Sequence, residues 1–125
     1  MIKSIIIAGM GGFIGTALRY LVSKYFQFHY VSVFPWGTFT VNIIGSFLIG
    51  IFFGISERGN FMSPEWRIFL TVGLCGGFTT FSSLSNDAIM LLQSKEIFRF
   101  VTYSGLSFIL GLIAVFLGRL FIKII

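Results

Sequence analysis

The sequence predicts an all-α membrane protein with four transmembrane helices. Of its 125 residues, 56% are hydrophobic and 10% are charged, whereas a soluble domain carries about 25% charged residues. Long charge-free runs separate the charges, and a helix needs about 20 mostly apolar residues to cross a bilayer. These runs place four spans, at Ile5–Phe26, Pro35–Ile55, Trp66–Leu92 and Phe98–Ile122. Residues 1–125 are therefore predicted to form one four-helix transmembrane domain.

The basic residues lie singly near the ends of these spans, which is not the clustered pattern of a nucleic-acid-binding surface. Four spans place Lys3, Arg58, Arg67, Arg119 and Lys123 on the side of the termini, and Arg19, Lys24, Lys95 and Arg99 on the other. Orientation normally follows an excess of Lys and Arg on the cytoplasmic side. Five against four is almost no excess. Either the chain inserts in both orientations, which would permit an antiparallel homodimer, or another signal fixes its orientation.

Span one is rich in glycine and contains the spacing Gly11-x-x-x-Gly15. Such a spacing lets helix backbones approach closely in lipid. It recurs at Gly50 and Gly54 in span two and at Gly73 and Gly77 in span three, so we expect close helix packing at all three places. Arg19 lies near the end of span one, where an arginine either extends to the interface or serves a polar cavity. A connection over residues 27–34 follows.

Span two opens with Pro35 and Trp36, which suit the first turn of a helix and the membrane interface. Thr38 and Asn42 are four residues apart and therefore share one helix face. Asn42 either bridges two helices or contacts an ion, because its amide offers two donors to an anion.

Span three has an unusual centre, a run from Gly73 to Ser83 that contains a glycine pair, two threonines, two serines and two phenylalanines. Backbone can leave helical geometry at membrane depth only where protein buries it or where it lines a polar cavity. The run therefore predicts a broken helix at a site that handles something polar, most simply an ion.

Span four carries Tyr103 and Ser107, again four residues apart on one face. Packing explains one polar stripe on an apolar helix. Three such stripes in a protein this small favour a shared polar path through the membrane.

The sequence contains no constellation typical of an enzyme: no Cys/His metal spacing, no Ser-His-Asp set and no phosphate-binding loop. A proton-coupled exporter of small molecules is an alternative, but it requires a carboxylate within the membrane. Asp87 is the only acid outside the polar turns, and it lies towards a helix end. A non-transporting scaffold would leave the cluster of Asn42, Thr79, Thr80 and Ser82 without a purpose.

Three motifs in this order resemble the signatures of the Fluc/CrcB family of fluoride channels. They are residues 11–20 (GGFIGTALRY), residues 35–45 (PWGTFTVNIIG) and residues 73–82 (GLCGGFTTFS). The resemblance covers essentially the whole chain. It implies a fluoride-selective channel in a prokaryotic cell membrane, which forms dual-topology dimers and exports fluoride passively from the cytoplasm to limit its toxicity.

The resemblance also implies roles for individual residues. A structural Na⁺ at the dimer interface would be held by the backbone carbonyls of Gly76 and Thr79. Asn42 would donate to fluoride, and Phe81 would present the positive edge of its ring. Further polar contacts would come from Thr80, Ser82, Tyr103 and Ser107, with Arg19 at an aqueous vestibule and Thr38 on the face of Asn42.

Three positions depart from the family pattern. Leu84 stands where a second phenylalanine is usual, Asp87 replaces a glutamate, and Gly111 lacks a hydroxyl one turn beyond Ser107. Because leucine has no polarised ring edge, Leu84 leaves two assemblies open: a homodimer, or a heteromeric channel whose partner chain carries the missing phenylalanine.

Overall fold

The computed structural model describes residues 1–29, 33–59 and 62–125. All regular structure in these ranges is helical, and four helical stretches are long and apolar enough to cross a membrane. Both findings confirm the predicted fold class. The elements are α1 (Ile2–His29), α2 (Trp36–Glu57), α3 (Pro64–Arg67), a π-helical segment (Ile68–Cys75), α4 (Gly76–Phe78), α5 (Phe81–Gln93) and α6 (Ile97–Ile124). The third stretch is thus composite, built from four of these elements.

The helix ends lie within three residues of the predicted spans. Pro35 immediately precedes α2, and Pro64 occupies the first turn of α3 behind the N-cap Ser63, whose hydroxyl accepts from the Trp66 amide at 3.3 Å. These are favoured positions for proline and serine at a helix start. The connection was expected to begin at residue 27, but α1 continues to His29, so the connection begins later than predicted. Its central residues, 30–32, lie outside the described ranges.

Glycine joins α1 to the π-helical segment at backbone distance. A Cβ atom added to Gly15 would overlap the carbonyl oxygen of Leu74, and one added to Gly73 would lie 2.9 Å from the Cα of Gly11. Neither position can accept a side chain without moving backbone. The close packing predicted from the glycine spacings of spans one and three is therefore confirmed.

The helices α2 and α6 pack together in the same way. Cβ atoms at Gly50 and Gly118 would overlap the carbonyl oxygens of Val115 and Phe47, and one at Gly54 would lie 3.1 Å from the Ile122 Cβ. Van der Waals contact between closely spaced backbones is a main source of helix association in lipid, where apolar burial contributes little. The glycine spacing of span two thus has the packing role expected of it.

A cluster of buried hydrophobic side chains lies where α5 meets α6. Ala88, Leu91 and Tyr103 form a small core, and the partly buried Leu84 and Phe39 pack against it. Elsewhere the helices turn apolar side chains outward, and only 11–22% of each spanning window is buried within the chain. This outer surface suits lipid or a second subunit.

Candidate functional site

The third membrane-spanning stretch is interrupted at two threonines. Thr79 (φ −92°, ψ 158°) and Thr80 (φ −154°, ψ 119°) have extended backbone between α4 and α5. The Thr80 hydroxyl then caps α5 by accepting from the Ser83 amide at 3.1 Å. Threonine suits both tasks, because β-branching favours extended backbone and its hydroxyl can serve as an N-cap. The interruption therefore has a local cause in the sequence.

Asn42 binds this interruption from α2 with both ends of its side-chain amide. Its Oδ1 accepts from the Thr80 amide at 2.8 Å, and its Nδ2 donates to the Thr80 carbonyl at 3.1 Å. Because the backbone N–H can only donate and the C=O can only accept, these two bonds fix which way the amide points. An unsatisfied backbone group in lipid costs several kcal/mol. Asn42 satisfies two such groups, the N–H and the C=O of Thr80. Its second Nδ2 proton remains for a further acceptor.

The bond from Thr80 has a consequence one turn earlier. In a continuous α-helix the Thr80 amide would donate to the carbonyl of Gly76. That amide is directed to Asn42 instead, so the Gly76 carbonyl loses its helical donor. Gly76 is also exposed in the single chain.

Arg19 supplies a replacement donor at the next position. Its Nε donates to the carbonyl oxygen of Gly77 at 2.9 Å, from a helix 58 residues away in the sequence. The ordinary helical partner of that carbonyl would be the amide of Phe81, which lies beyond the interruption. Arg19 thus stabilises the end of α4. Its predicted position at an aqueous vestibule stays a prediction.

Thr79 is held by its own helix and by α2. Its amide and its hydroxyl both donate to the Cys75 carbonyl at 2.9 Å. Its methyl group packs against Gly45, where an added Cβ would overlap Thr79 Cγ2. Gly45 therefore provides the space in which the extended backbone lies.

A cavity of about 610 Å³ lies beside the interruption, between α2, α5 and α6. It brings together five residues predicted for the site: Asn42, Thr79, Thr80, Phe81 and Ser107. Leu84 and Gly111, two of the departures from the family pattern, also line it. Three further hydroxyls that the sequence analysis did not assign to the site lie in the same wall, from Ser46, Ser85 and Ser104.

A periodicity argument would have found these serines. Ser85 follows Phe81 by four residues and Ser104 precedes Ser107 by three, so each shares a helix face with a predicted site residue. Ser46 follows Asn42 by one helical turn and therefore shares its face. The Ser46 hydroxyl would lie 3.6 Å from a Cβ at Gly111. It thus places a hydroxyl beside the position in span four where the family pattern led us to expect one.

Ser107 contributes a hydroxyl without a partner to the cavity wall. Its side chain is buried, and its Oγ is the one buried side-chain oxygen or nitrogen in the described ranges without a hydrogen-bond partner. A buried hydroxyl without a partner costs about 1–3 kcal/mol. Because it lines the cavity, a ligand there could accept its proton.

Two residues predicted for the fluoride path itself lie outside the cavity wall. Ser82 is exposed, with its Oγ 3.3 Å from the Thr80 hydroxyl. Tyr103 is completely buried and donates to Asp87 Oδ2 at 3.3 Å, and its hydroxyl also interacts with Thr38. Tyr103, Asp87 and Thr38 therefore form a separate polar group.

The cavity is incomplete in a single chain. The Phe81 side chain is 80% exposed although it lines the wall. Leu84 is half-buried and packs on the core around Tyr103. An apolar ring this exposed next to buried donors indicates that something further covers the site, either lipid or protein.

Comparison with known proteins gives one family over nearly the whole chain. Residues 6–119 match the family described as CrcB-like protein, Camphor Resistance (CrcB). The chain is 45% identical over 121 residues to the fluoride-specific ion channel FluC of Flavobacterium psychrophilum, covering 97% of this chain and 98% of that protein. Proteins of the same name from Bacteroides fragilis (50% over 119 residues, 93% of each chain) and Leptospira interrogans (40% over 121 residues, 97% and 95%) are also similar.

Proposed function

The chain belongs to the CrcB-like protein family, and from that membership we propose that it is a fluoride-selective ion channel. Curated relatives that align from end to end are named fluoride-specific ion channels. The family is one of channels and not of enzymes, and with its four apolar helices the chain is a multi-pass membrane protein. The observation that carries the proposal to this chain's own residues is the buried, unpartnered hydroxyl of Ser107 in a cavity shared with Asn42.

The cavity offers what a small, strongly hydrated anion requires. Fluoride must exchange water for short, directed donors, and a buried N–H or O–H is a stronger partner there than in water. The spare Nδ2 proton of Asn42 and the hydroxyl of Ser107 are such donors. Phe81 would add the positive edge of its ring. Larger anions would be excluded by the apolar wall that Phe81 and Leu84 contribute.

Thr80 and Ser82 extend the proposed anion path with hydroxyls that lie 3.3 Å apart. Tyr103 would take part from the polar group it forms with Asp87 and Thr38. We propose passive export of fluoride from the cytoplasm down its electrochemical gradient, since the cavity wall contains donors but no carboxylate.

We further propose that Gly76 and Thr79 hold a structural Na⁺ with their backbone carbonyls. The residues fit such an ion: the Gly76 carbonyl has lost its helical donor, Gly76 is exposed, and Thr79 is extended. Hard cations prefer oxygen ligands. Backbone carbonyl oxygens such as those of Gly76 and Thr79 are ligands of this kind. The ion would supply fixed positive charge at the interface.

The proposed assembly is an antiparallel dimer whose two chains insert in opposite orientations. The exposed ring of Phe81, the exposed backbone of Gly76 and the near-balance of basic residues all favour it. A partner chain would cover the cavity and place the two interruptions side by side.

Fluoride efflux from liposomes, followed with a fluoride electrode, tests the proposed function. Wild-type protein should release fluoride rapidly when the membrane potential is cancelled with a potassium ionophore. Asn42→Asp should abolish release, because a carboxylate cannot donate to the Thr80 carbonyl and repels an anion. The matched control is Asn86→Asp, an exposed asparagine of α5 bonded only weakly, to Met90 Sδ at 3.6 Å. It should release fluoride as wild type does.

The same liposomes separate the alternative function. A proton-coupled exporter would require a pH gradient across the vesicle membrane and would depend on Asp87. Efflux that persists without any gradient of protons supports the channel. Efflux that stops when the proton gradient is removed would contradict it.

Leu84 raises the question of a second, different subunit. If this chain needs a partner with the missing phenylalanine, the purified protein alone should release little fluoride, and Leu84→Phe should raise the rate. Robust efflux from the wild-type protein alone would instead establish the homodimer as sufficient. In that case the packing of Leu84 on the core around Tyr103 is its main role.

A further inference from the structure

A second cleft lies at the other end of the molecule from Tyr103, where α2 and α6 both finish. Its volume is about 450 Å³, and none of the residues that line the cavity beside the interruption takes part in it. Three of its lining side chains are basic, Arg58, Arg119 and Lys123, and one is acidic, Glu57. The described side chains of the cleft therefore carry an excess of two positive charges.

Two of the three basic groups are fixed by bonds within the protein. Arg58 Nη1 donates to the carbonyl oxygen of Ile122 at 3.0 Å, one of the last carbonyls of α6, which have no helical partner. Arg119 forms an ion pair with Glu57 at 2.5 Å, and its guanidinium lies 5.8 Å from the centre of the Phe53 ring. Each guanidinium has five N–H donors. Most of these donors stay available to a ligand, and the bonds described above already hold both guanidinium groups in position.

The rest of the cleft wall is apolar and continues along α6 towards the middle of the membrane. Phe116 and Leu120 line the cleft and are 63% and 36% exposed. Phe116 lies two turns and Leu120 one turn before the end of the helix, on the outer surface. A ligand that fills this cleft has negative charge at one end and a hydrocarbon chain at the other.

We propose that this cleft binds an anionic phospholipid, with the phosphodiester group between Arg58, Arg119 and Lys123 and an acyl chain against Phe116 and Leu120. Guanidinium groups bind phosphate oxygens bidentately, and the end of a spanning helix lies at the depth of lipid headgroups. Free phosphate would satisfy the cations but leave the apolar wall uncovered. The site is separate from the proposed ion path, and it concerns lipid rather than fluoride.

Native mass spectrometry of the detergent-purified protein tests this site directly. Phosphatidylglycerol should remain bound, and phosphatidylcholine, whose headgroup carries a compensating positive charge, should not. Each basic side chain removed should weaken phosphatidylglycerol binding about fivefold, so Arg58→Gln with Lys123→Gln should weaken it about 25-fold. Lys123→Gln alone serves if the double variant elutes as an aggregate, because Lys123 is exposed and its removal breaks no bond described above.

Lys3→Gln is the matched control. Lys3 lies on the same side of the membrane and is exposed, but it pairs with Glu65 outside the cleft. Lys3→Gln removes the same charge as Lys123→Gln. Because Lys3 does not line the cleft, this variant should leave phosphatidylglycerol binding unchanged. Equal losses in Lys3→Gln and Lys123→Gln would overturn the proposal in favour of general surface attraction. Displacement of the lipid by inorganic phosphate would overturn it in favour of a free phosphate site. Fluoride efflux measured on the same variants tests the channel independently.

Discussion

At the scale of single residues, Asn42 performs two tasks with one side chain. Its amide satisfies both backbone groups of Thr80 and leaves one Nδ2 proton without a partner among the described residues. The structure shows the helix bridge, one of the two interpretations that the sequence left open. Ion contact stays a proposal, in which the bridge directs the remaining donor. Aspartate has nearly the same shape but lacks the N–H groups. Similarity in shape therefore does not make aspartate an acceptable substitute for Asn42.

Gly45 gives a residue-scale prediction. Gly45→Ala would place a methyl group on Thr79 Cγ2, and overpacking of this kind costs about 1–3 kcal/mol. We expect the variant to have a lower apparent Tm in detergent and to release fluoride more slowly from liposomes, because the extended backbone of Thr79 must shift.

Gly9→Ala is the control for that change, since a Cβ at Gly9 meets nothing within 4 Å. Alanine favours a helix over glycine by up to about 1 kcal/mol, so this variant should be as stable as wild type or slightly more so. A Gly45→Ala protein as stable and as active as Gly9→Ala would show that Thr79 has room to move.

At the scale of secondary-structure elements, the interruption is held by three helices at once. The helix α2 contributes Asn42 and Gly45, α1 contributes Arg19, and α5 begins with the Thr80 cap. Local sequence makes the interruption possible, but bonds from distant helices satisfy its backbone. Removing any one of the hydrogen bonds from Asn42, Arg19 or the Thr80 hydroxyl leaves a backbone group at membrane depth without its partner, which is costly there.

Arg19 gives a prediction at this scale. Arg19→Met removes the donor to the Gly77 carbonyl, and a buried acceptor left without a partner costs about 1–3 kcal/mol. Arg99→Met removes the same charge from the same side of the membrane, but among the described residues the bond of Arg99 is to Glu96, three positions before it on the surface. We expect a lower apparent Tm for Arg19→Met alone.

Efflux measured at low and high salt separates the two roles of Arg19. If the residue only concentrates anions at a vestibule, both variants should slow efflux at low salt, and high salt should remove the difference from wild type. A defect of Arg19→Met that persists at high salt would identify the bond to Gly77 as the cause.

At the scale of the whole molecule, a single chain has little interior, with 11–22% of each spanning window buried. Glycine contacts join α1 to the third span and α2 to α6, and most large side chains face outward. The cavity wall is open at Phe81. The cleft at the ends of α2 and α6 binds its ligand, in our proposal, from the surrounding lipid. Function therefore depends on what covers the chain as much as on its own fold.

Dual topology is the prediction that belongs to this scale. With basic residues divided five against four between the two sides, tags placed at the N-terminus should be found on both sides of the membrane in comparable amounts. Adding two lysines near Lys95 should shift the population to one orientation and lower efflux, because antiparallel pairs become rare. A single orientation for the unmodified protein would contradict the antiparallel dimer.

The sequence predicted those features that depend on local pattern. Apolar runs gave the four helices, glycine spacings gave the close contacts, and the run around Thr79 indicated where helical geometry would fail. Partners across the fold could not be predicted this way. Nothing in residues 15–20 indicates that Arg19 donates to a carbonyl 58 positions later.

The cavity wall shows the same limit. Ser46, Ser85 and Ser104 share helix faces with Asn42, Phe81 and Ser107, but only the packing of α2, α5 and α6 brings these three faces together in one cavity. Rotation about a helix axis is set by side-chain packing, which a single sequence does not reveal. Tyr103 was grouped with Ser107 by spacing, yet packing turns its hydroxyl to Asp87.

The bonds that hold Thr79 and Thr80 also bear on how the chain assembles. While residues 64–93 are alone in lipid, neither Asn42 nor Arg19 is available to the extended backbone. Exposed backbone groups are too costly there, so this segment should enter the bilayer as an uninterrupted helix. Its two threonines can unwind only after α1 and α2 have docked. The extended backbone of Thr79 and Thr80 then forms late in the assembly of the protein in the membrane. The order in which the helices dock decides when the protein first becomes able to conduct.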